Sequence, residues 1–155
     1  MELLLVAHII GDFYTQTDRI AIGKVKSFKY LSLHCLLYTI VMGAFFCMIC
    51  DDINSIVIFS ALIFGSHFII DRAKGRISLR TDKFSCSFFL LDQLLHIIVL
   101  YLIFLLEKSQ FASFINDDMV INGFDIKRCL FCIFIALICC KPVAILVSLL
   151  SKESL

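Results

Sequence analysis

The sequence predicts an all-α membrane protein: a polytopic bundle of four spanning helices plus a short amino-terminal helix. Three observations carry this reading. The 155-residue chain is 61% hydrophobic and only 17% charged, whereas soluble domains are about half apolar and about a quarter charged. Its mean hydropathy is +0.98. Four apolar segments also reach the roughly 20 residues that a helix needs to cross about 30 Å of hydrocarbon. One Pro and six Gly argue against disorder or collagen-like repeats. A net charge of +1 provides no basic field, so nucleic acid is not an expected partner. With no internal repeat or low-complexity linker, residues 1–155 read as a single integral membrane domain.

The elements follow in order. Met1 to about Tyr14 is apolar but too short to span upright. It lacks a basic n-region, carries Glu2 and places His8 inside its apolar stretch, so it reads as a retained short helix rather than a signal peptide. The spanning segments run from about Phe28 to Cys50, Asn54 to Asp71, Phe84 to Leu106 and Cys129 to Leu150. All four exceed ordinary strand length, and Pro142 breaks the last. Arg19, Lys24, Lys26 and Lys29 lie between the first two segments. Arg72, Lys74, Arg76, Arg80 and Lys83 lie between the third and fourth, and Lys152 falls on the same side. The opposite side has Lys108, Lys127 and Arg128 beside Asp51, Asp52, Asp117, Asp118 and Asp125. The positive-inside rule then places the basic linkers in the cytoplasm.

The histidines are the most specific feature. His8 precedes Asp12, His67 precedes Asp71 and His96 follows Asp92, each by four residues. On a helix, that spacing puts both side chains on one face. His34 lies early in the second segment. With the orientation above, all four His and the three Asp fall in one layer, in the cytoplasmic half of the bundle. Ionisable residues within a membrane are costly and by default mark a functional site. A divalent transition metal (Zn, Mn or Fe) resolves the cost, because imidazole and carboxylate together suit these ions. The metal-ligand set expected is His8, Asp12, His34, His67, Asp71, Asp92 and His96, enough for two ions sharing a bridging carboxylate.

Such a site supports hydrolysis, with bound water activated at near-neutral pH. Asp12, Asp71 and Asp92 are then the candidate catalytic groups. Gln16, Lys24, Tyr38, Gln93 and Lys141 are candidates for substrate binding or for orienting the ligands. A lipid or phosphoester substrate suits the depth of the layer, and Lys141 either counters its charge or snorkels to an interface. Two other classes stay open. One is a proton- or ion-coupled transporter or sensor using the same cluster. The other is a non-enzymatic membrane interaction protein whose basic linkers meet anionic lipid. Membrane lipids are the expected partners, and a bundle of this size is open to homo-oligomer formation.

The stretch from His8-Ile-Ile-Gly-Asp12 through Asp18 with Lys24, then His34-Cys-Leu-Leu-Tyr38, His67-Phe-Ile-Ile-Asp71 and Leu91-Asp92-Gln93-Leu-Leu-His96, resembles a bacterial integral-membrane family known as domain of unknown function 3307. The resemblance covers roughly residues 1–100, and the Lys141-Pro142 pair also looks family-like. More distantly, the His/Asp pattern is similar to LexA-regulated inner-membrane metal-dependent hydrolases, which implies a hydrolytic metal site. The eight cysteines include two C-x-x-C spacings, Cys47/Cys50 and Cys129/Cys132. They read first as small buried apolar residues rather than as a zinc site.

Overall fold

A computed structural model describes residues 1–50, 52–81, 86–106, 120–121 and 124–153. Helices make the fold. In chain order they are α1 (Glu2–Ile9), α2 (Asp18–Lys26), α3 (Phe28–Ile49), α4 (Ile53–Thr81), α5 (Cys86–Leu106), α6 (Ile126–Cys140) and α7 (Pro142–Glu153). One antiparallel ladder, β1 (Val120–Ile121) with β2 (Phe124–Asp125), precedes α6. Four stretches are long and apolar enough to span a membrane: Phe28–Met48, Ile53–Ser78, Cys86–Leu106 and Arg128–Ser151. The protein is therefore an integral membrane helical bundle. Asp51, Lys83, Lys108, Asp117 and Asp118, which entered the orientation argument, lie outside the described residues.

Two expectations change. α4 does not stop near Asp71 but runs for 29 residues, so Arg72, Lys74 and Arg76 stand on a helix and not in a linker. Nothing in Arg-Ala-Lys-Gly-Arg disfavours helix strongly, and Gly75 alone is too small a penalty to end one. The start of α4 is fixed by Asp52, whose carboxylate accepts from the backbone N–H and hydroxyl of Ser55, both at 2.9 Å. These bonds cap the helix and hold the Asp52 carboxyl below its ordinary pKa. The first basic linker is likewise helical, as α2, with the Thr17 hydroxyl accepting from the N–H of Ile20 at its start.

α1 is too short to span, yet Leu3, Leu4, Val6, Ala7, His8 and Ile9 are all buried. Consecutive burial requires neighbours on every side, and α3, α5 and α6 supply them. α1 ends in a π-turn, Ile10–Tyr14, closed by the Thr15 N–H donating to the Ile10 carbonyl at 3.1 Å. Such turns add a residue to the helix and often stand at functional sites. Gly11 within it lies against α3, where a Cβ would meet the Tyr38 ring at 2.8 Å.

The main apolar core joins Leu4 and Ala7 to Met42, Phe46, Phe59, Ile63, Leu100 and Ile103. A smaller one sets Ile9, Phe13 and Phe89 against α6 and α7. Lys141 is the turn between those two helices. Pro142 has no N–H to continue the ladder, so the chain restarts as a new helix at its preferred first position. Cys35 and Cys50 are buried, whereas Cys47, Cys129, Cys132, Cys139 and Cys140 are exposed on the bundle surface and so depart from the expectation of buried cysteines.

Candidate metal centre

Seven polar side chains interrupt this apolar interior: His8, Asp12, His34, His67, Asp71, Asp92 and His96 are each at most 5% exposed. They come from α1 and its π-turn, α3, α4 and α5. They form one layer, bounded by the main apolar core on one side and by α2 on the other.

The four-residue pairs place these groups together but do not bond them to each other through their side chains. His67 Nε2 is 3.8 Å from Asp71 Oδ2, and His96 Nδ1 is 4.0 Å from Asp92 Oδ1. The close partners cross between helices. His34 Nε2 lies 3.2 Å from Asp12 Oδ1, 3.3 Å from Asp71 Oδ2 and 3.0 Å from His67 Nε2. Lys24 Nζ stands 3.1 Å from the same nitrogen and donates to Asp71 Oδ2 at 2.8 Å. Burial opposes the Lys24 charge, but the carboxylates of Asp71, Asp12 and Asp92 together outweigh it and raise the lysine above its ordinary pKa.

Gln93 fixes the protonation of its surroundings. Its amide NH₂ donates to Asp12 Oδ2 and Asp92 Oδ2, both at 3.2 Å. Ionised carboxylates only accept, so the Gln93 carbonyl must face His8, 3.3 Å from Nε2. Nε2–H of His8 therefore donates, and His8 Nδ1 accepts the Tyr38 hydroxyl at 2.9 Å. In this arrangement neither nitrogen of His8 is left with a free lone pair. Tyr38 also stacks on His67 at 3.9 Å between ring centroids, within 10° of parallel.

His96 has the opposite arrangement. Its Nδ1–H donates to the backbone carbonyl of Asp92 at 2.8 Å. That sets the tautomer and leaves Nε2 as a buried lone pair with no partner. Metal-ligating histidines characteristically show this pattern, one nitrogen held by an acceptor and the other presented.

Two donor groups result: Asp12, His34 and His67, and His67, Asp71 and His96, with the ligand atoms of each group within 4.8 Å of one another. Their common member is His67, where the sequence reading had expected a bridging carboxylate. His8 and Asp92 stand outside both groups. Asp92 is paired instead with Lys74, which donates to its Oδ2, while its Oδ1 is buried without a partner. Sequence reasoning used Lys74 only for orientation and missed this contact. The signal was present, since His67, Asp71 and Lys74 continue one helix face at positions i, i+4 and i+7.

The remaining expected residues are placed differently. Gln16 follows the π-turn with its Oε1 buried and unpartnered, making no hydrogen bond to the cluster. Lys141 does not enter the layer. Its ammonium donates to the Phe13 carbonyl at 2.9 Å and lies 5.1 Å from the centre of the Tyr14 ring. Tyr14 in turn donates to the Leu137 carbonyl at 3.0 Å. Together these contacts tie the π-turn to the break between α6 and α7.

Two carboxylate oxygens and the Nε2 atom of His67 lie within 3.0–3.3 Å of His34 Nε2, a buried donor set that a cation would stabilise, with Lys24 already offsetting one of the two carboxylate charges. A mixed nitrogen and oxygen donor set suits a divalent transition metal. No curated protein and no solved structure matches the chain. A family model matches residues 1–121, covering every member of the cluster, and on that match the chain belongs to the family described as protein of unknown function DUF3307.

Proposed function

We propose that the protein is a membrane-embedded metal-dependent hydrolase whose ion is held by Asp12, His34, His67, Asp71 and His96. The observation that carries this reading is the pair of overlapping donor groups sharing His67, together with the unpartnered Nε2 of His96. These five residues would hold a divalent ion, which would supply a bound water of near-neutral pKa and polarisation of the scissile oxygen.

The chain's own residues have separable tasks. Lys24 neutralises Asp71, Tyr38 sets the plane of the His67 ring, and Gln93 links His8, Asp12 and Asp92. Asp92 is the general base: it lies outside the donor groups, Lys74 and Gln93 hold its Oδ2, and Oδ1 is left to take a proton. Being buried and hydrogen-bonded on one oxygen only is a geometry suited to proton transfer.

A proton or ion conduit fits less well. Beyond the polar layer, the described interior is Leu4, Met42, Phe46, Phe59, Ile63, Leu100 and Ile103, with no polar path across it. The test is hydrolysis of phospholipid and phosphodiester substrates by purified protein loaded with Zn, Mn or Fe. Turnover should disappear with a chelator. Asp92→Asn should lower kcat by about 10²-fold or more and leave the metal bound. Turnover that survives both treatments would contradict the assignment.

A further inference from the structure

A groove of about 280 Å³ runs between α4 and α5 on the outer surface of the bundle. Ile70, Ala73 and Ile77 line it from α4, and Phe88, Leu91 and Leu95 from α5. It is close to the small end of ligand-sized pockets. Its walls face outward: Ile77, Phe88, Leu91 and Leu95 are between 37% and 51% exposed, on helices long enough to span a membrane. Its polar members include Lys74 and Asp92, so an otherwise apolar surface leads directly to the carboxylate beside the metal centre.

We propose that this groove seats an acyl chain of an anionic phospholipid, with the lipid phosphate at the Lys74 ammonium. A lipid reaches the groove laterally, without crossing water. The Lys74 side chain is 24% exposed, so a phosphate reaches it, and lysine binds phosphate as a point charge. Lys74 keeps its bond to Asp92 Oδ2, because an ammonium carries three N–H donors and meets a phosphate on its exposed side at the same time. The Lys74 charge selects an anionic headgroup over a zwitterionic one, while Arg72 and Arg76, two residues away on α4, stand on another face of the helix. The inference rests on the hydrolase reading and deepens it by naming the substrate class. Asp92 lies outside the donor groups, so lipid binding and metal binding are separable.

The test is native mass spectrometry of the full chain in detergent, titrated with phosphatidylglycerol or phosphatidylcholine. Phosphatidylglycerol should be retained about fivefold or more better, and Lys74→Gln should bring it down to the phosphatidylcholine level. Ala73→Trp fills the groove without touching the ion pair. It should abolish retention while leaving metal content and thermal unfolding unchanged, which separates a blocked groove from a misfolded chain. Equal retention of the two lipids would overturn the proposal, as would binding that ignores Ala73→Trp. So would a two-copy species that Ala73→Trp dissociates, since a second chain would then own the groove. Lipid binding without metal would leave this inference standing and remove the hydrolase, and metal without lipid binding would do the reverse.

Discussion

Helices α1 and α3 to α5 on one hand and the α6–α7 pair on the other are both strongly apolar, but they use that property in opposite ways. Between Cys129 and Ser151 the only charged side chain is Lys141, and none of that span is buried. In α1 and α3 to α5, the apolar surface wraps a buried layer of four His and three Asp. α1 is the sharpest contrast, being too short to cross a bilayer yet buried on all sides. In a membrane, hydrophobicity identifies the face that meets lipid. The expensive polar residues are what identify the working interior. The family match covers residues 1–121 and ends before α6, so the Lys141-Pro142 pair, expected to be family-like, lies outside it.

The largest effects should come from inside the layer. His67→Ala removes the member common to both donor groups and should cost the metal entirely, as metal analysis would show. Lys24→Met should come next. It leaves the buried Asp71 carboxylate without its ammonium, and breaking a buried pair from one side typically costs about 3–5 kcal/mol. Thermal unfolding in detergent should register this, and Asp71→Asn in the same chain should recover much of it. If Lys24→Met is silent, the pair is not part of what holds α2 to the bundle.

Much of this layer is legible in the sequence, because a His and an Asp four residues apart in an apolar helix have few other reasons to exist. The partners are less legible. The four-residue spacing predicts a shared face, but His34, which has no Asp at that spacing, lies closer to Asp12 and Asp71 than His67 does. Those distances depend on how α1, α3 and α4 approach one another, which no local pattern encodes. The π-turn is similarly hidden, since only Gly11 marks it, and it turns Asp12 toward His34 and Gln93 rather than toward His8. Lys74 was obscured by an assumption: once α4 is ended at Asp71, the residue that pairs with Asp92 looks like part of a linker.

Smaller effects test the edges of the comparison. Gly11→Ala places a methyl group 2.8 Å from the Tyr38 ring. Overpacking of this kind costs about 1–3 kcal/mol and should displace the hydroxyl that holds His8. A lowered melting temperature with reduced metal affinity would confirm that the π-turn must lie this close to α3. Lys141→Ala should do least, losing one hydrogen bond to the Phe13 carbonyl, about 0.5–1.5 kcal/mol. Its metal content should match the parent protein. A large loss of metal in Lys141→Ala would break the division, showing that α6 and α7 position the centre as well as shield it.

The central claim is that the buried His and Asp side chains form one metal centre. The most direct measurement is metal content by mass spectrometry of protein purified in detergent without chelator and resupplied with Zn, Mn and Fe, alongside His67→Ala and His96→Ala. About one equivalent of a transition metal is expected per chain, absent in His67→Ala and weakened in His96→Ala. No metal in the parent protein after resupply, or equal metal in all three, would contradict the account.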